Sequence, residues 1–207
     1  MKIVTISREF GSGGRELGKR LAQELGWAYY DREIVSAISE NSQLSREYVE
    51  QVMEQGVGFA YPITVRCTFS RIPSLQQNNL RVLVEQQKVL KQLAQRGENC
   101  VIVGRGADVL LREYGPLNLF VYADQQSKLA RCRARAREGE DLSLWVLERK
   151  IRQVDNGRVK YRQLLTGTPW GRKESYHLCV NTSGRDIKGL AHWLAGYVGY
   201  WFGGSEE

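Results

Sequence analysis

The fold is decided by the stretch Ile3-Val4-Thr5-Ile6-Ser7-Arg8-Glu9-Phe10-Gly11-Ser12-Gly13-Gly14-Arg15-Glu16-Leu17-Gly18. A short β-branched run precedes its glycine cluster, and after the cluster Leu17, Leu21 and Leu25 recur at helical spacing, which predicts a strand, a loop and a helix. Glycines let backbone N–H groups approach an anion closely, and a helix N-terminus adds further N–H groups and a positive dipole end. The stretch is therefore a candidate phosphate-binding loop, and the alternative is a tight turn with a solvated arginine.

The register of this loop against the phosphate-binding motif G-x-x-x-x-G-K decides which residues face a phosphate. A literal match runs from Gly13 to Lys19, but it places Leu17 in the loop, although Leu17 belongs to the apolar face of the predicted helix. We prefer the register that ends the loop at Gly13. It puts Gly14 in the lysine position and leaves Arg15 as the nearest cation.

Strand patterns and helical patterns alternate along the rest of the chain. Further strands are predicted at residues 27–30, 100–103, 117–123 and 178–180. Helices are predicted at residues 34–39, 45–53, 80–94, 127–137, 142–165 and 186–200. Residues 55–79 carry glycines, prolines and a Gln-Gln-Asn-Asn run, so we interpret them as a mobile insert. Apolar strands separated by helices predict an α/β fold with a parallel sheet covered on both faces, and ligands at the carboxyl ends of its strands.

The composition is that of a globular chain with a preference for anionic partners. Its 207 residues carry a formal net charge of +7, and 42% of them are hydrophobic, which excludes disordered and fibrous classes. No window approaches the roughly 18 apolar residues that a membrane span needs, so we expect no membrane partner. Cys67, Cys100, Cys132 and Cys179 lie far apart and no signal-peptide core is visible, which predicts reduced thiols and a cytoplasmic location.

Three stretches resemble the cytidylate kinase-like proteins, relatives of bacterial cytidylate kinase among the P-loop nucleoside monophosphate kinases. They are the run quoted above, Trp27-Ala28-Tyr29-Tyr30-Asp31-Arg32-Glu33, and Val101-Ile102-Val103-Gly104-Arg105. The resemblance spans nearly the whole chain and implies a three-layer α/β/α P-loop kinase fold, with a five-stranded parallel sheet, in a single domain over residues 1–207. It also implies an inserted monophosphate-binding part at residues 32–79 and a lid at residues 137–172. The implied activity is transfer of the ATP γ-phosphoryl group to CMP or dCMP with Mg²⁺.

The resemblance also implies where the two nucleotides bind. The ATP phosphates are expected on Gly11, Ser12, Gly13, Gly14, Arg15 and Glu16. The acceptor monophosphate is expected at Asp31, Arg105 and Asp155. Arg105 lies between two glycines after an apolar strand, where packing hardly explains an arginine. The alternative for Asp31 is an N-cap of the next helix, and for Asp155 an ion pair on the helix surface with Arg158 or Arg152.

Arginines are expected to neutralise the charge that develops on the phosphoryl group during transfer. We predict Arg15, Arg131 and Arg158 as catalytic residues. Arg131 with Arg135, and Arg158 with Arg162, form i,i+4 pairs that can converge on one ligand. The alternative for each of them is a solvated surface charge.

Two positions in the loop depart from the pattern of an active kinase. Gly14 stands where a lysine normally neutralises the β- and γ-phosphates, and Glu16 replaces the hydroxyl residue that helps to hold Mg²⁺. Arg15 is one residue further on and is not equivalent to a lysine point charge. The chain is therefore either a kinase that depends on Arg15 or a non-catalytic nucleotide-binding module with a degenerate loop.

Small-molecule nucleotides are the expected partners. Neither histidine has metal-ligand spacing, so we predict no protein metal site. The chain lacks the dispersed aromatic and basic platform of RNA-binding modules, so we do not expect a nucleic-acid partner. A C-terminal aromatic stripe predicts either core packing or a contact in a homo-oligomer. The members of this stripe are Trp193, Tyr197, Tyr200, Trp201 and Phe202.

Overall fold

Strand β1 (Ile3–Arg8) is buried along its whole length at the centre of a parallel sheet. The computed structural model describes residues 1–55, 74–136 and 143–203. Its other strands are β2 (Ala28–Tyr30), β3 (Cys100–Val103), β4 (Leu117–Tyr122) and β5 (Leu178–Asn181). In this part of the chain all neighbouring strands pair in parallel, in the order β2-β3-β1-β4-β5. The predicted α/β class and five-stranded parallel sheet are confirmed.

Helices cover both faces of this sheet. They are α1 (Gly14–Leu25), α2 (Arg32–Ser42), α3 (Arg46–Gln55), α4 (Ser74–Gln95), α5 (Ala107–Leu110), α6 (Gln125–Ala134), α7 (Leu144–Thr166) and α8 (Ile187–Gly203). Short 3₁₀ helices lie at Arg112–Tyr114 and Lys173–Ser175. Alternate residues of β1 face opposite sides: Ile6 packs with α1 and α8, whereas Ile3 packs with α2, α3 and α4. These two cores give the three layers.

The strand register brings the candidate residues to one edge of the sheet. Ile6 lies opposite Val103, and Arg8 lies opposite Val121. Because parallel strands end at the same edge, the loop after β1 and the turn after β3 lie side by side. Helices α6 and α7 pack together through Leu129 and Leu147 above this edge.

One prediction about the chain between α3 and α4 is wrong in part. We interpreted residues 55–79 as a mobile insert, but residues 74–79 form the start of α4. The polar run is compatible with a helix there, because Asn79 is buried and its Oδ1 accepts a hydrogen bond from the Tyr48 hydroxyl at 2.8 Å. Residues 56–73 lie outside the described residues, as do residues 137–142 of the predicted lid. None of the described helices is long and apolar enough to span a membrane.

Candidate functional site

The loop between β1 and α1 has the backbone that the register ending at Gly13 requires. Gly13 has a φ of 82°, a left-handed conformation that glycine adopts without strain, and α1 begins at Gly14. Leu17 is buried within α1, whereas Lys19 is exposed. The N–H groups in the first turn of α1 therefore lie beside the loop, an arrangement suited to an anion. Within the loop, the Gly14 N–H donates to the Ser12 hydroxyl oxygen at 3.4 Å.

Polar contacts from β5 and α6 hold this loop in place. The Ser12 hydroxyl donates to the Glu9 carbonyl at 2.8 Å, and the Thr182 hydroxyl donates to the Ser12 carbonyl at 2.6 Å. Arg131 donates to the Thr182 carbonyl at 2.5 Å and to the Ser12 carbonyl at 3.4 Å. Ser12 therefore shapes the loop, and Arg131 supports it.

A cleft of about 860 Å³ opens beside the loop, and we call it the donor cleft. Helices α6 and α7 and the residue that follows α6 supply Arg131, Arg135, Lys150 and Arg158, and Arg8 and Arg15 also line this cleft. Burial and the neighbouring Arg135 lower the pKa of Arg131. Glu16 is paired with two arginines, because its carboxylate accepts hydrogen bonds from Arg20 at 2.9 Å and from Arg135. Loop N–H groups and several cations are the combination that binds polyphosphates.

A second cleft, of about 480 Å³, lies at the ends of β1 and β3, and we call it the acceptor cleft. Arg8 and Arg158 line both clefts. The acceptor cleft is further lined by Ser7, Met53, Gly104, Arg105, Gly106, Asp108, Tyr161, Arg162 and Trp170. Arg162 forms a buried ion pair with Asp108. Cations beside aromatic rings suit a phosphorylated molecule that carries an apolar ring.

Asp31 lies between Arg15 of the donor cleft and Arg105 of the acceptor cleft. Its carboxylate lies 2.6 Å from Nε of Arg15 and 3.7 Å from Nη2 of Arg105. Asp31 is the N-cap residue of α2, as the alternative predicts, but its side chain makes no capping hydrogen bond to that helix. Within the described residues, the buried Oδ1 of Asp31 and Nε of Arg105 have no hydrogen-bond partner. Unpartnered buried polar atoms are costly, so a ligand that supplies partners binds favourably at this point.

Arg105 has a strained backbone held by a buried network. Its φ is 63°, and it lies between Gly104 and Gly106, which have φ values of 73° and 62°. The Arg105 carbonyl accepts from Nε2 of Gln86, and Oε1 of Gln86 accepts from the Tyr161 hydroxyl at 2.5 Å. Helices α4 and α7 thus hold the turn from two sides. Strain that the surroundings maintain is common at functional sites.

Asp155 lies against the loop between β1 and α1, which we call the donor loop, and not beside Asp31 and Arg105. The Phe10 N–H donates to its carboxylate at 2.7 Å, and Nη1 of Arg158 donates to it at 3.1 Å. The same Nη1 donates to the Arg8 carbonyl at 2.8 Å. Burial raises the pKa of Asp155 despite these cationic neighbours. The structure thus brings Asp155, Arg158 and the loop together, and brings Arg15, Asp31 and Arg105 together in a separate group.

Sequence reasoning missed three buried polar residues of this site: Arg8, Gln86 and Lys128. Nζ of Lys128 lies 2.6 Å from the Glu9 carboxylate and 4.0 Å from Asp155. Such residues normally point to solvent, so neither periodicity nor motif spacing signals them. Only Arg8 had a signal, because it lies inside the stretch that decides the fold.

The comparisons with known proteins agree with this fold. The fold is that of small P-loop kinases. Shikimate kinases from Acinetobacter baumannii and Bacteroides thetaiotaomicron match with a TM-score of 0.55 each, at 14% and 15% identity. The first match covers 100% of this chain and 96% of the other, and the second covers 95% and 98%.

The family follows from the sequence itself. The chain belongs to the cytidylate kinase-like family, whose model matches residues 3–184. An uncharacterized protein from Eubacterium ventriosum has a similar structure, with a TM-score of 0.66 and 22% identity over 96% of this chain and 98% of that one. No curated protein matches the chain in sequence.

Proposed function

We propose that this protein is a cytoplasmic nucleoside monophosphate kinase that transfers the γ-phosphoryl group of ATP to CMP or dCMP. An oxygen of the acceptor phosphate forms a bond to the γ-phosphorus. The bond from that phosphorus to the β–γ bridging oxygen breaks, and ADP leaves with the electron pair. The products are ADP and a nucleoside diphosphate. Membership in the cytidylate kinase-like family supports a nucleotide acceptor.

The observation that carries the proposal is the meeting of two cationic clefts at Arg8 and Arg158. One cleft has the loop and helix N-terminus that suit a polyphosphate, and the other has cations beside aromatic rings. A phosphoryl group that passes between two ligands needs such a junction. Because phosphoryl transfer demands little covalent participation from a protein, positioning and charge neutralisation supply most of the catalysis.

Each predicted site residue has a place in this mechanism. Residues 11–16 hold the ATP phosphates, chiefly through backbone N–H groups. Arg105 and Asp31 hold the acceptor, and Arg158 lies where the transferred group passes. Arg131 supports the loop, and Arg15 links the loop to the acceptor through Asp31. Asp155 acts on the acceptor only indirectly, because it positions Arg158 and the loop.

Mg²⁺ is expected to enter the site bound to the nucleotide phosphates. Among the described residues, no three side chains of His, Cys, Asp or Glu lie together as a candidate metal site. The carboxylates nearest the loop are engaged: Glu16 with Arg20 and Arg135, and Glu9 with Lys128. Mg²⁺ is commonly bound through substrate phosphates and few carboxylates, so we assign the ion to the nucleotide and derive no step from the protein through it.

The proposal is tested by an ATP-consumption screen over CMP, dCMP, UMP, AMP and GMP with Mg²⁺, with shikimate as a non-nucleotide acceptor. Calorimetry with each compound accompanies the screen. We expect turnover with CMP or dCMP at rates well above the shikimate reaction. Turnover with shikimate alone would overturn the nucleotide acceptor.

The second candidate is a non-catalytic nucleotide-binding module, and Gly14 in the lysine position is the observation that favours it. In that case ATP and a monophosphate bind in calorimetry, yet no acceptor is phosphorylated at any tested concentration. A protein without either property would refute both candidates.

A further inference from the structure

Compared with the phosphate-binding motif, the donor loop has a cation where the motif has its first glycine and a glycine where the motif has its lysine. In the motif G-x-x-x-x-G-K the second glycine follows the first by five positions and the lysine comes next. A loop that ends at Gly13 therefore has position 8 as its first glycine and position 14 as its lysine. This chain has Arg8 at the glycine position and Gly14 at the lysine position. The cation is therefore present in the motif, but at its opposite end.

Side chains at positions 8 and 14 would compete for the same space. A Cβ atom at Gly14 would lie 2.6 Å from Cβ of Arg8 and 3.1 Å from its Cγ. The stem of Arg8 thus fills the space in which a lysine side chain at position 14 would begin. The guanidinium continues to the turn after β3, where a Cβ at Gly104 would overlap it. This path carries the Arg8 charge from beneath the loop to the junction of the donor and acceptor clefts.

The charge of Arg8 is poorly compensated by the protein. Arg8 is 8% exposed, and its charged neighbours are Arg158, Arg105, Arg15 and Asp31. Asp31 is already 2.6 Å from Arg15, and among the described residues no carboxylate forms an ion pair with Arg8. Burial, followed by the charges of Arg158 and Arg105, lowers the pKa of Arg8. A buried cation among other cations is costly unless an anion joins it.

We propose that Arg8 is the catalytic cation that takes the place of the loop lysine, and that it binds the β- and γ-phosphate oxygens of the donor nucleotide. This inference rests on the proposed function. It moves the lysine role from Arg15, which we predicted from the sequence, to Arg8. Arg15 reaches Asp31 and is 41% exposed, whereas Arg8 is buried at the junction. As the γ-phosphorus moves from ADP to the acceptor oxygen, Arg8 stays in contact with its equatorial oxygens.

The first test replaces Arg8 by methionine, which keeps the packing of the stem and removes the charge. We expect the affinity for ATP, measured by calorimetry, to fall tenfold or more and the affinity for AMP to stay within twofold. The thermal midpoint of the unliganded protein should stay equal or rise, because an uncompensated buried charge is lost. Arg133→Met, at an exposed arginine of α6, is the control and should change neither quantity.

These measurements distinguish a catalytic role of Arg8 from a structural role. They also distinguish failure of this inference from failure of the proposed function. A lower midpoint without ligand, combined with unchanged ATP affinity, would show that Arg8 is structural and would overturn the inference. So would a larger loss of ATP affinity in Arg15→Met than in Arg8→Met. Because ATP and AMP affinities need no turnover, the test remains valid if no acceptor is phosphorylated and the proposed function fails.

The second test moves the cation back to the lysine position. Arg8→Gly should lower turnover at least 100-fold, and Gly14→Lys alone should also be impaired, because its Cβ meets the Arg8 stem. The double variant Arg8→Gly/Gly14→Lys removes that contact and leaves a Cβ contact of 3.2 Å to Val121, which needs only a small shift. We expect it to recover at least tenfold of the turnover, and of the ATP affinity, lost in Arg8→Gly. No recovery in a double variant that keeps the wild-type thermal midpoint would overturn the inference.

Discussion

At the scale of single residues, Arg105 is the residue at the edge of the sheet that sequence and structure both single out. The sequence predicts it from its two flanking glycines, and the structure adds a left-handed backbone and an unpartnered Nε. These features describe a guanidinium held ready for an anion in the acceptor cleft.

Arg105→Ala is expected to weaken binding of the acceptor monophosphate by about 1.5–3 kcal/mol, the range for a charge-assisted hydrogen bond, and to leave ATP binding nearly unchanged. Calorimetry with CMP and with ATP measures both effects. Arg105→Gly relieves the backbone strain as well and should show the same loss of CMP binding. Arg112→Ala, at an exposed arginine, is the control. Equal losses for both nucleotides would contradict the assignment of Arg105 to the acceptor.

Gly104 is a second residue whose substitution has a specific expected effect. Gly104→Ala should cost about 1–2 kcal/mol of backbone strain and should also displace the Arg8 guanidinium. Gly97 has a similar φ of 76° but open space around its Cα, so Gly97→Ala carries the strain alone.

The two alanine variants are compared by urea unfolding and by ATP turnover. Both should lose stability, Gly104→Ala by more because its Cβ overlaps the Arg8 guanidinium, and only Gly104→Ala should lose turnover by tenfold or more. Similar turnover in the two variants would show that the position of Arg8 does not matter for catalysis.

At the scale of elements, α7 is the helix that ties the two clefts together. Asp155 accepts from the Phe10 N–H of the donor loop, and Tyr161 holds Gln86 and through it the Arg105 turn. One helix therefore sets the position of the loop and of the acceptor turn. The sequence predicts the helix from its period, but it gives no sign that one face of it is buried against the loop.

Asp155→Ala should destabilise the protein by about 1–3 kcal/mol, because it leaves the Phe10 N–H without its acceptor. Asp155→Asn keeps an acceptor oxygen and should cost less than half as much. Burial raises the pKa of Asp155, so ionisation of this carboxyl costs stability as the pH rises above the ordinary aspartate value. Urea unfolding at pH 7 measures the difference, and equal losses in both variants would show that the N–H contact contributes little.

Local sequence patterns predict some elements of this fold and miss others. The apolar strands at β3 and β4 and the start of α1 follow from local patterns, because burial of the sheet forces continuous apolar runs. The start of α4 did not follow, since its polar residues suggest a loop and the contact of Asn79 with Tyr48 is tertiary. Arg8 and Gln86 did not follow either, because a buried polar residue is recognisable only once its surroundings are known.

For the whole molecule, the proposed function makes acceptor choice a measurable property. We expect CMP or dCMP to bind more tightly than AMP or GMP. Family membership and the pair of Asp31 and Arg105 motivate this expectation. Calorimetry on the unmodified protein decides this, and equal or tighter purine binding would remove the cytidylate assignment without affecting the fold.

The aromatic stripe on α8 gives a second expectation for the whole molecule. Trp193 and Tyr197 stack with ring centres 6.2 Å apart, and Trp193 is 57% exposed, whereas Phe202 packs against Trp27. The predicted homo-oligomer therefore stays a prediction that involves the exposed part of the stripe. Trp193→Glu should lower the sedimentation-derived mass towards that of one chain, and Lys188→Glu, also exposed on α8, should not. A single-chain mass for the unmodified protein would refute it.

The close approach of position 14 to the Arg8 stem links substitutions at these two positions of the loop. A route of single substitutions from a glycine-and-lysine loop to this one passes through one of two intermediates. One has glycine at both positions and no cation, and the other has two long cationic side chains in one volume. We therefore expect each single change to impair the protein and the two positions to depend on each other, which the single and double variants at positions 8 and 14 measure.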